Sequence, residues 1–381
     1  MKKQNGGFGY PGIGVINTFT LGISGYGNPV NSAIFSPDSS MVATAHGNST
    51  IKTWNSNTGQ LVNILAGHDI QVVGLEYSPD GRKLLSFSSD YTAKLWDANT
   101  GKLLATTPEY EDDISSIAFS PDGTKIAITS KTLQIWNSTM DKLIAETDVE
   151  ISSHITVTFS PDSSKILTSS YGFAQVWNAK TCELIHYLRH KEYAAVYTAQ
   201  FSNDGMKIAT SSSDGTAKLW SIGGRIIHTL LHSDIQSATF SPDGSVLLTS
   251  NTNNVKKWNV KTGKLIQVFN DIGKLEIYSP DGGNIITINE HQLKLLDSET
   301  GRVIQTLNHN NYVTSACFSP DNLKLVTSSE DNTAKLWIQE PTRVEEYKLS
   351  RMNAIDTAYN TNKKVKEDVK NQWGTIMKQY I

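Results

Sequence analysis

The sequence predicts an all-β protein made of eight similar four-stranded antiparallel units, followed by a short helical tail. An aromatic-Ser-Pro-Asp tetrapeptide, or a close variant, recurs eight times along the 381 residues. A short alternating run that ends in tryptophan, or once in leucine, follows each tetrapeptide. Repeats of this length are typical of modular β architectures. No unit contains the long amphipathic pattern of a crossover helix, so the strands of each unit are expected to be antiparallel.

The tetrapeptides and the tryptophan runs recur along the chain with nearly the same spacing. Successive copies are 38 to 43 residues apart. The aromatic residues that open the tetrapeptides are Phe35, Tyr77, Phe119, Phe159, Phe201, Phe240, Tyr278 and Phe318. The runs end at Trp54, Trp96, Trp136, Trp177, Trp220, Trp258, Leu296 and Trp337.

Each unit contains the pattern of four short strands. Polar and apolar residues alternate before the tetrapeptide, as in VNSAIF and ISSIAF, which is typical of a half-buried strand. Ser-Pro-Asp-Gly is a turn sequence, because proline presets φ, aspartate caps the backbone and glycine tolerates positive φ. An apolar strand, the tryptophan strand, a turn of the Asn-Thr-Gly type and a fourth strand such as KLIQVF complete the unit.

These repeats resemble the WD-repeat (WD40) family over about residues 12–338. The resemblance implies a β-propeller, in which four-stranded blades are arranged radially. It also implies a non-enzymatic scaffold that binds peptides and proteins. Because many functions share this fold, the resemblance is specific for architecture and not for a partner.

The ring is expected to close through a clasp strand from the N-terminus. No fourth strand follows Trp337, whereas residues 15–19 (VINTF) align with residues 303–307 (VIQTL). Residues near 13–20 are therefore predicted to be the outer strand of the last blade, which gives eight blades; the alternative is the family's usual seven. The predicted domains are a propeller at 1–340 and a helical tail at 341–381.

The family resemblance also implies a buried hydrogen-bonded tetrad in some blades, formed by His, Ser or Thr, Asp and Trp. The first unit has Asn48 in place of Asp and lacks the tetrad His, and the third, fourth, sixth and seventh units are degenerate. We expect the degenerate blades to depend mainly on apolar packing. Three units match in full: His68, Ser86, Asp90 and Trp96; His190, Thr210, Asp214 and Trp220; His309, Thr327, Asp331 and Trp337.

Partner binding is expected on the top face, where the loops before each first strand emerge. Positions six and four residues before the tetrapeptide aromatic are expected to point toward this face, as is the residue before Asp331. The set is acidic and aromatic and contains no arginine, so it disfavours phosphopeptides and favours a Lys- or Arg-rich segment. The predicted partner-binding residues are Gln71, Asp113, Tyr197, Asp234, Gln236, Tyr312 and Glu330.

The sequence offers no catalytic, metal or cofactor site. The Ser-His-Asp sets recur with the repeat, and His186/His190 and His228/His232 occupy equivalent positions in adjacent units. The net charge of −3 gives no reason to expect nucleic acid, and no apolar run is long enough to span a membrane. Two cysteines and no signal-peptide pattern favour the cytoplasm. The alternatives are a propeller enzyme with a central-channel site and an effector exported without a cleavable signal.

The tail at 341–381 differs from the repeats in pattern and charge. Val365, Val369, Trp373, Ile376 and Tyr380 share one helical face. The segment carries eight basic and five acidic residues, whereas the rest of the chain is acidic overall. We expect it to dock on its own propeller; the alternatives are that it recruits a partner or serves as an export signal.

Overall fold

The computed structural model describes residues 15–21, 28–148 and 156–339. These residues form thirty-two strands, arranged as eight four-stranded sheets. Apart from Val15, Ile16 and Gln339 at two strand ends, the strands lie within the compact unit Asn17–Ile338. The predicted helical tail lies outside the described residues. No helix in the described part of the chain is long and apolar enough to cross a membrane.

The strands of the first four blades run in sequence order from the inner to the outer edge. Blade one is β2 (Val30–Phe35), β3 (Met41–His46), β4 (Thr50–Asn55) and β5 (Leu61–Ala66). Blade two is β6 (Val72–Tyr77), β7 (Lys83–Ser88), β8 (Ala93–Asp97) and β9 (Leu103–Thr106). Blade three is β10 (Ser116–Phe119), β11 (Lys125–Thr129), β12 (Thr132–Asn137) and β13 (Leu143–Asp148). Blade four is β14 (Thr156–Phe159), β15 (Lys165–Ser169), β16 (Phe173–Asn178) and β17 (Leu184–Arg189).

Blades five to seven repeat this order, and blade eight takes its outer strand from the start of the chain. Blade five is β18 (Val196–Phe201), β19 (Lys207–Ser212), β20 (Thr216–Ser221) and β21 (Ile226–Leu231). Blade six is β22 (Ser237–Phe240), β23 (Val246–Ser250), β24 (Asn254–Asn259) and β25 (Leu265–Asn270). Blade seven is β26 (Lys274–Tyr278), β27 (Asn284–Asn289), β28 (Gln292–Asp297) and β29 (Val303–Asn308). Blade eight is β30 (Val313–Phe318), β31 (Lys324–Ser329), β32 (Ala334–Gln339) and β1 (Val15–Leu21).

The tetrapeptide forms the same turn in every blade. In blade one the Ser36 hydroxyl donates to the Asp38 carboxylate at 2.6 Å and accepts the Met41 backbone N–H at 2.9 Å. The corresponding serine–aspartate bond in the other seven blades measures 2.5 to 2.6 Å. The residue after the aspartate has positive φ even where it is not glycine, as in Ser39 (62°) and Asn322 (62°). Because serine and aspartate hold the turn, three blades dispense with the glycine.

The strand order β1-β32-β31-β30 confirms the predicted clasp and the eight-bladed ring. The seven-bladed alternative is therefore wrong. Blade one contacts blade eight directly, since the Thr314 hydroxyl donates to the Val30 carbonyl at 2.6 Å. Leu21 of the clasp is fully buried in an apolar cluster that also contains Trp54 of blade one and Leu336 of blade eight. The clasp thus adds apolar burial at the closure as well as a paired strand.

Replacing Leu21 with alanine tests whether the clasp holds the ring closed. Leu21 is buried in the cluster at the closure, so we expect Leu21→Ala to lower the free energy of unfolding by about 3 kcal/mol. Urea denaturation followed by tryptophan fluorescence measures this change. Leu61→Ala is the matched control, because Leu61 opens an outer strand but is 44% exposed. Equal losses in the two variants would contradict a closing role for the clasp.

Candidate protein-interaction surface

Hydrogen-bonded tetrads cross the interior of blades two, five and eight. In blade two, Trp96 Nε1 donates to Ser86 Oγ at 2.8 Å, and His68 lies 2.8 Å from both Ser86 Oγ and Asp90 Oδ2. Blade five joins Trp220, Thr210, His190 and Asp214, and blade eight joins Trp337, Thr327, His309 and Asp331, at 2.7 to 3.0 Å. These residues tie the second and third strands to the loop that enters the blade.

Blade six also has a full network, so its classification as degenerate is wrong. Trp258 Nε1 donates to Thr249 Oγ1 at 2.8 Å, and His232 Nδ1 lies 2.7 Å from the same hydroxyl. His232 Nε2 lies 2.9 Å from Asn254 Oδ1, so an asparagine replaces the aspartate and the imidazole is reversed. Asn254 opens the third strand, where the complete blades have threonine. In the complete blades the tetrad aspartate lies six residues before the tryptophan, whereas Asn254 lies four residues before Trp258. The aspartate spacing therefore did not identify Asn254.

Blade one takes its histidine from an unexpected place. His46, at the end of the second strand, lies 2.8 Å from Thr44 Oγ1, which accepts Trp54 Nε1 at 2.9 Å. Asn48 accepts a hydrogen bond from the Thr50 hydroxyl at 2.7 Å. The segment before β2 contains no histidine, but blade one has His46 at the end of β3. Because side chains at i and i+2 lie on the same face of a strand, Thr44 and His46 were a detectable pair.

The other blades keep less of the network within the described residues. In blade four the Thr168 hydroxyl accepts Trp177 Nε1 at 2.9 Å. In blade seven, where leucine replaces the tryptophan, the Thr287 hydroxyl donates to the Ile272 carbonyl. Blade three joins Trp136 and Tyr110 through Gln134, a polar residue on its third strand.

Burial keeps the network histidines neutral. It lowers the pKa of His46, His190 and His232 to about 4 and also lowers the pKa values of His68 and His309. Burial opposes ionisation of Asp90, but hydrogen bonds from Thr92, the Asp69 N–H and His68 hold its pKa at about 2. A neutral imidazole donates one hydrogen bond and accepts another, as each tetrad requires. Within the described residues, no three His, Cys, Asp or Glu side chains form a metal-binding group.

The seven predicted partner-binding residues lie in or beside two sets of loops at one end of the blades, the top loops. One set joins each outer strand to the next inner strand, and the other joins the second and third strands of a blade. Tyr197 and Tyr312 are 47% and 49% exposed, and Gln236 is partly exposed. Gln71, Asp113, Asp234 and Glu330 are exposed as well. The geometry therefore leaves these side chains accessible.

The top loops are strongly acidic. Outside the buried networks, their described residues include ten carboxylates and two lysines, Lys131 and Lys191. Lys131 forms an ion pair with Asp112. Tyrosines stand among the charges, and Tyr193 is 85% exposed. The ten carboxylates are Asp69, Glu109, Glu111, Asp112, Asp113, Glu192, Asp234, Asp271, Glu290 and Glu330.

A family model described as WD domain, G-beta repeat matches six segments of the chain, which together make up more than half of it. The segments are 17–55, 59–97, 101–137, 182–221, 224–259 and 301–337. The chain belongs to the WD-repeat family. Each matched segment of this WD-repeat protein ends at, or one residue beyond, the tryptophan of a blade. Blades four and seven lie largely outside the matched segments, yet the structure has both of them.

Curated relatives are similar over part of this WD-repeat protein. Rat apoptotic protease-activating factor 1 is 27% identical over 162 residues, which cover 41% of the chain and 11% of the relative. The WD repeat-containing protein WDS homolog of Arabidopsis thaliana is 37% identical over 83 residues, which cover 20% of the chain and 16% of the relative. The chain thus spans less than a fifth of each of these relatives.

Two solved structures share the fold. The C-terminal WD40 domain of Sif2 aligns with a TM-score of 0.75 and 18% identity, covering 87% of the chain and all of that domain. The computationally designed Ika8 protein aligns with a TM-score of 0.70 and 22% identity, covering 84% and 99%. The family and the fold support a general role as a protein-interaction scaffold, and such scaffolds are typically non-catalytic.

Proposed function

We propose that this WD-repeat propeller binds a Lys- or Arg-rich protein segment on its top loops. The observation that carries the proposal is the charge of that surface: ten described carboxylates stand against two lysines. Half-exposed tyrosines such as Tyr197 and Tyr312 lie among them. Carboxylates attract cationic side chains, and tyrosine faces add cation–π contacts.

The cluster around Tyr312 supports the proposal, because it places carboxylates and an aromatic ring close together. The Glu330 N–H donates to the Tyr312 carbonyl, and the Val313 N–H donates to the Glu290 carbonyl, both at 2.9 Å. These bonds place two exposed glutamates beside a tyrosine whose ring lies 5.2 Å from that of His291. A lysine or arginine reaching this cluster would meet two negative charges and an aromatic face.

The acidic loops favour a basic segment over a phosphorylated one. Phosphorylated segments are usually held by arginine clusters, and the described top loops contain no arginine. Their carboxylates would repel a phosphate group. Because exposed charges are screened by salt, binding of a basic segment should weaken as ionic strength rises.

Charge reversal at Asp113 and Asp234 tests the proposal. We expect the double variant Asp113→Lys, Asp234→Lys to bind a fluorescent Arg- and Lys-rich peptide at least about tenfold more weakly than the unaltered chain. Fluorescence polarisation measures the affinity, with neutral and acidic peptides of equal length as further probes. The control is Asp141→Lys, Glu183→Lys, which makes the same change of charge in turns at the opposite end of the blades.

The control separates local recognition from net charge. Equal weakening in both double variants would mean that overall charge alone attracts the peptide. Unchanged binding after reversal at Asp113 and Asp234 would rule out their part of the top loops as the docking site. Tighter binding of the acidic peptide by the unaltered chain would overturn the proposal.

A further inference from the structure

A lysine two residues before the tryptophan position serves the same role in several blades. Its ammonium lies 5.6 Å from the Trp220 ring in blade five and 5.9 Å from the Trp258 and Trp337 rings in blades six and eight. The same ammonium donates to a backbone carbonyl at the end of the preceding outer strand, at 2.7 to 3.2 Å. The lysines at this position in the chain are Lys52, Lys94, Lys218, Lys256, Lys294 and Lys335.

Blade three has Gln134 at this position. Gln134 Oε1 accepts Trp136 Nε1 at 3.0 Å and the Tyr110 hydroxyl at 2.6 Å, while its amide donates to Glu146 Oε1 at 2.8 Å. Within the described residues, no Lys or Arg lies over the Trp136 ring, which is partly exposed. The blade therefore keeps the aromatic ring but lacks the internal cation.

A cleft of about 370 Å³ lies where blades five, six and eight place their lysine. That size is at the lower end of the range for ligand clefts, roughly 300–1,000 Å³. Trp136 and Leu143 form part of its wall. Pro108 lines the cleft too, and it occupies the chain position whose carbonyl accepts the lysine ammonium in blades five, six and eight.

The cleft is lined mainly by carboxylates, which would attract a cation such as the lysine found in blades five, six and eight. Glu109, Glu111 and Glu146 line it, and each of the three is exposed. Lys131 is the single cation in the lining, and Asp112 already engages it. Gln134 orients the Glu146 carboxylate beside the tryptophan. The cleft thus combines an aromatic wall, an oriented carboxylate and two further negative charges.

We propose that this cleft binds an arginine side chain of the partner segment, which supplies in trans the cation that blades five, six and eight supply from their own lysine. The inference rests on the proposed function and deepens it, because it assigns one contact of the basic segment. Arginine suits the cleft better than lysine, since a planar guanidinium stacks on an aromatic ring and pairs with a carboxylate through two N–H groups. Its methylene stem would lie against Leu143.

Titration with blocked tripeptides tests the cleft. The probes are Ac-Gly-Arg-Gly-NH₂, the lysine analogue and the citrulline analogue, a neutral isostere of arginine. The readout is the indole N–H resonance of Trp136 in the ¹⁵N-labelled full chain, identified by its loss in Trp136→Phe. We expect a saturable shift with arginine, at least about threefold weaker binding of lysine and no shift with citrulline.

Gln134→Lys should fill the cleft with a lysine side chain of the protein itself. It installs the lysine of blades five, six and eight, so arginine binding should weaken at least about tenfold. Because an ammonium accepts no hydrogen bond, Trp136 Nε1 and the Tyr110 hydroxyl lose their acceptor and the melting temperature should fall. Lys335→Gln, the reverse exchange in blade eight, is the matched control and should leave the Trp136 response unchanged. If Gln134→Lys fails to fold, Glu146→Gln keeps an acceptor for Gln134, removes the charge and should weaken binding as well.

The outcomes separate the cleft from the wider proposal. A Trp136 resonance that no tripeptide moves, with basic-peptide binding still sensitive to Asp113 and Asp234, would overturn the cleft alone. Loss of both responses would overturn the cleft and the proposed function together. Equal shifts with arginine and citrulline would overturn cation recognition, and tighter binding of lysine would overturn the choice of arginine.

Discussion

Acidification from about pH 6.5 to about pH 4 should remove a large part of this protein's stability. Burial lowers the pKa of His46, His190 and His232 to about 4 in the folded chain, whereas an unfolded histidine titrates near 6.5. Between these values the unfolded state binds more protons, so the free energy of unfolding falls as the pH falls. Each histidine accounts for about 3 kcal/mol, and the three together for at most on the order of 10 kcal/mol.

Denaturation by urea at a series of pH values measures this loss. The slope of unfolding free energy against pH should be steepest between pH values near 6 and 4. It should reverse between about 6.5 and 8, because burial raises the pKa of Glu76 to about 8 and the folded chain keeps that proton where the unfolded chain has lost it. His46→Gln should reduce the number of protons taken up on unfolding by one relative to the unaltered chain. A stability that stays constant across this window would show that the buried imidazoles are already protonated or are reached by water.

Removing the Thr249 hydroxyl should destabilise blade six strongly. In Thr249→Val the side chain keeps its shape, but Trp258 Nε1 and His232 Nδ1 lose the hydroxyl to which they are hydrogen-bonded. Both groups lie in a buried network, and an unsatisfied buried polar group costs about 1 to 3 kcal/mol. We therefore expect the free energy of unfolding to fall by about 4 kcal/mol, measured by urea denaturation at neutral pH.

Thr168→Val in blade four is the matched control. Among the described residues, the Thr168 hydroxyl has a hydrogen bond with Trp177 and none with a histidine, so its loss should cost about half as much. Trp258 fluorescence and hydrogen exchange of β23 and β24 would show whether the damage is confined to blade six. Similar losses in the two variants would mean that the His232 contact contributes nothing to stability.

Local turn and strand signals were enough to predict the eight blades. The tetrapeptide carries its own hydrogen bonds, as Ser36 and Asp38 show, so the same short sequence gives the same turn in each blade. The clasp was predictable because residues 15–19 repeat the pattern of an outer strand. Features decided within a few residues of one another were therefore accessible from the sequence.

Contacts across strands were harder to predict. Asn254 replaces the tetrad aspartate from a different chain position, and His46 reaches the network from a strand and not from a loop. Gln134 meets Glu146 only because β12 and β13 pair in that register. Fixed offsets from a motif describe the average blade, whereas these side chains depend on which atoms a three-dimensional neighbour presents.

The clasp also determines when the propeller can close during its synthesis. Asn28 and Asn332, which meet where the ring closes, are 304 positions apart in the chain. A ribosome adding roughly 5 to 20 residues per second needs about 15 to 60 s to travel that distance. Blades one to seven can assemble in that interval, but β1 is made first and its partner β32 last. Until β32 is made, β1 has no partner strand, and an unpaired strand of this kind is prone to aggregation.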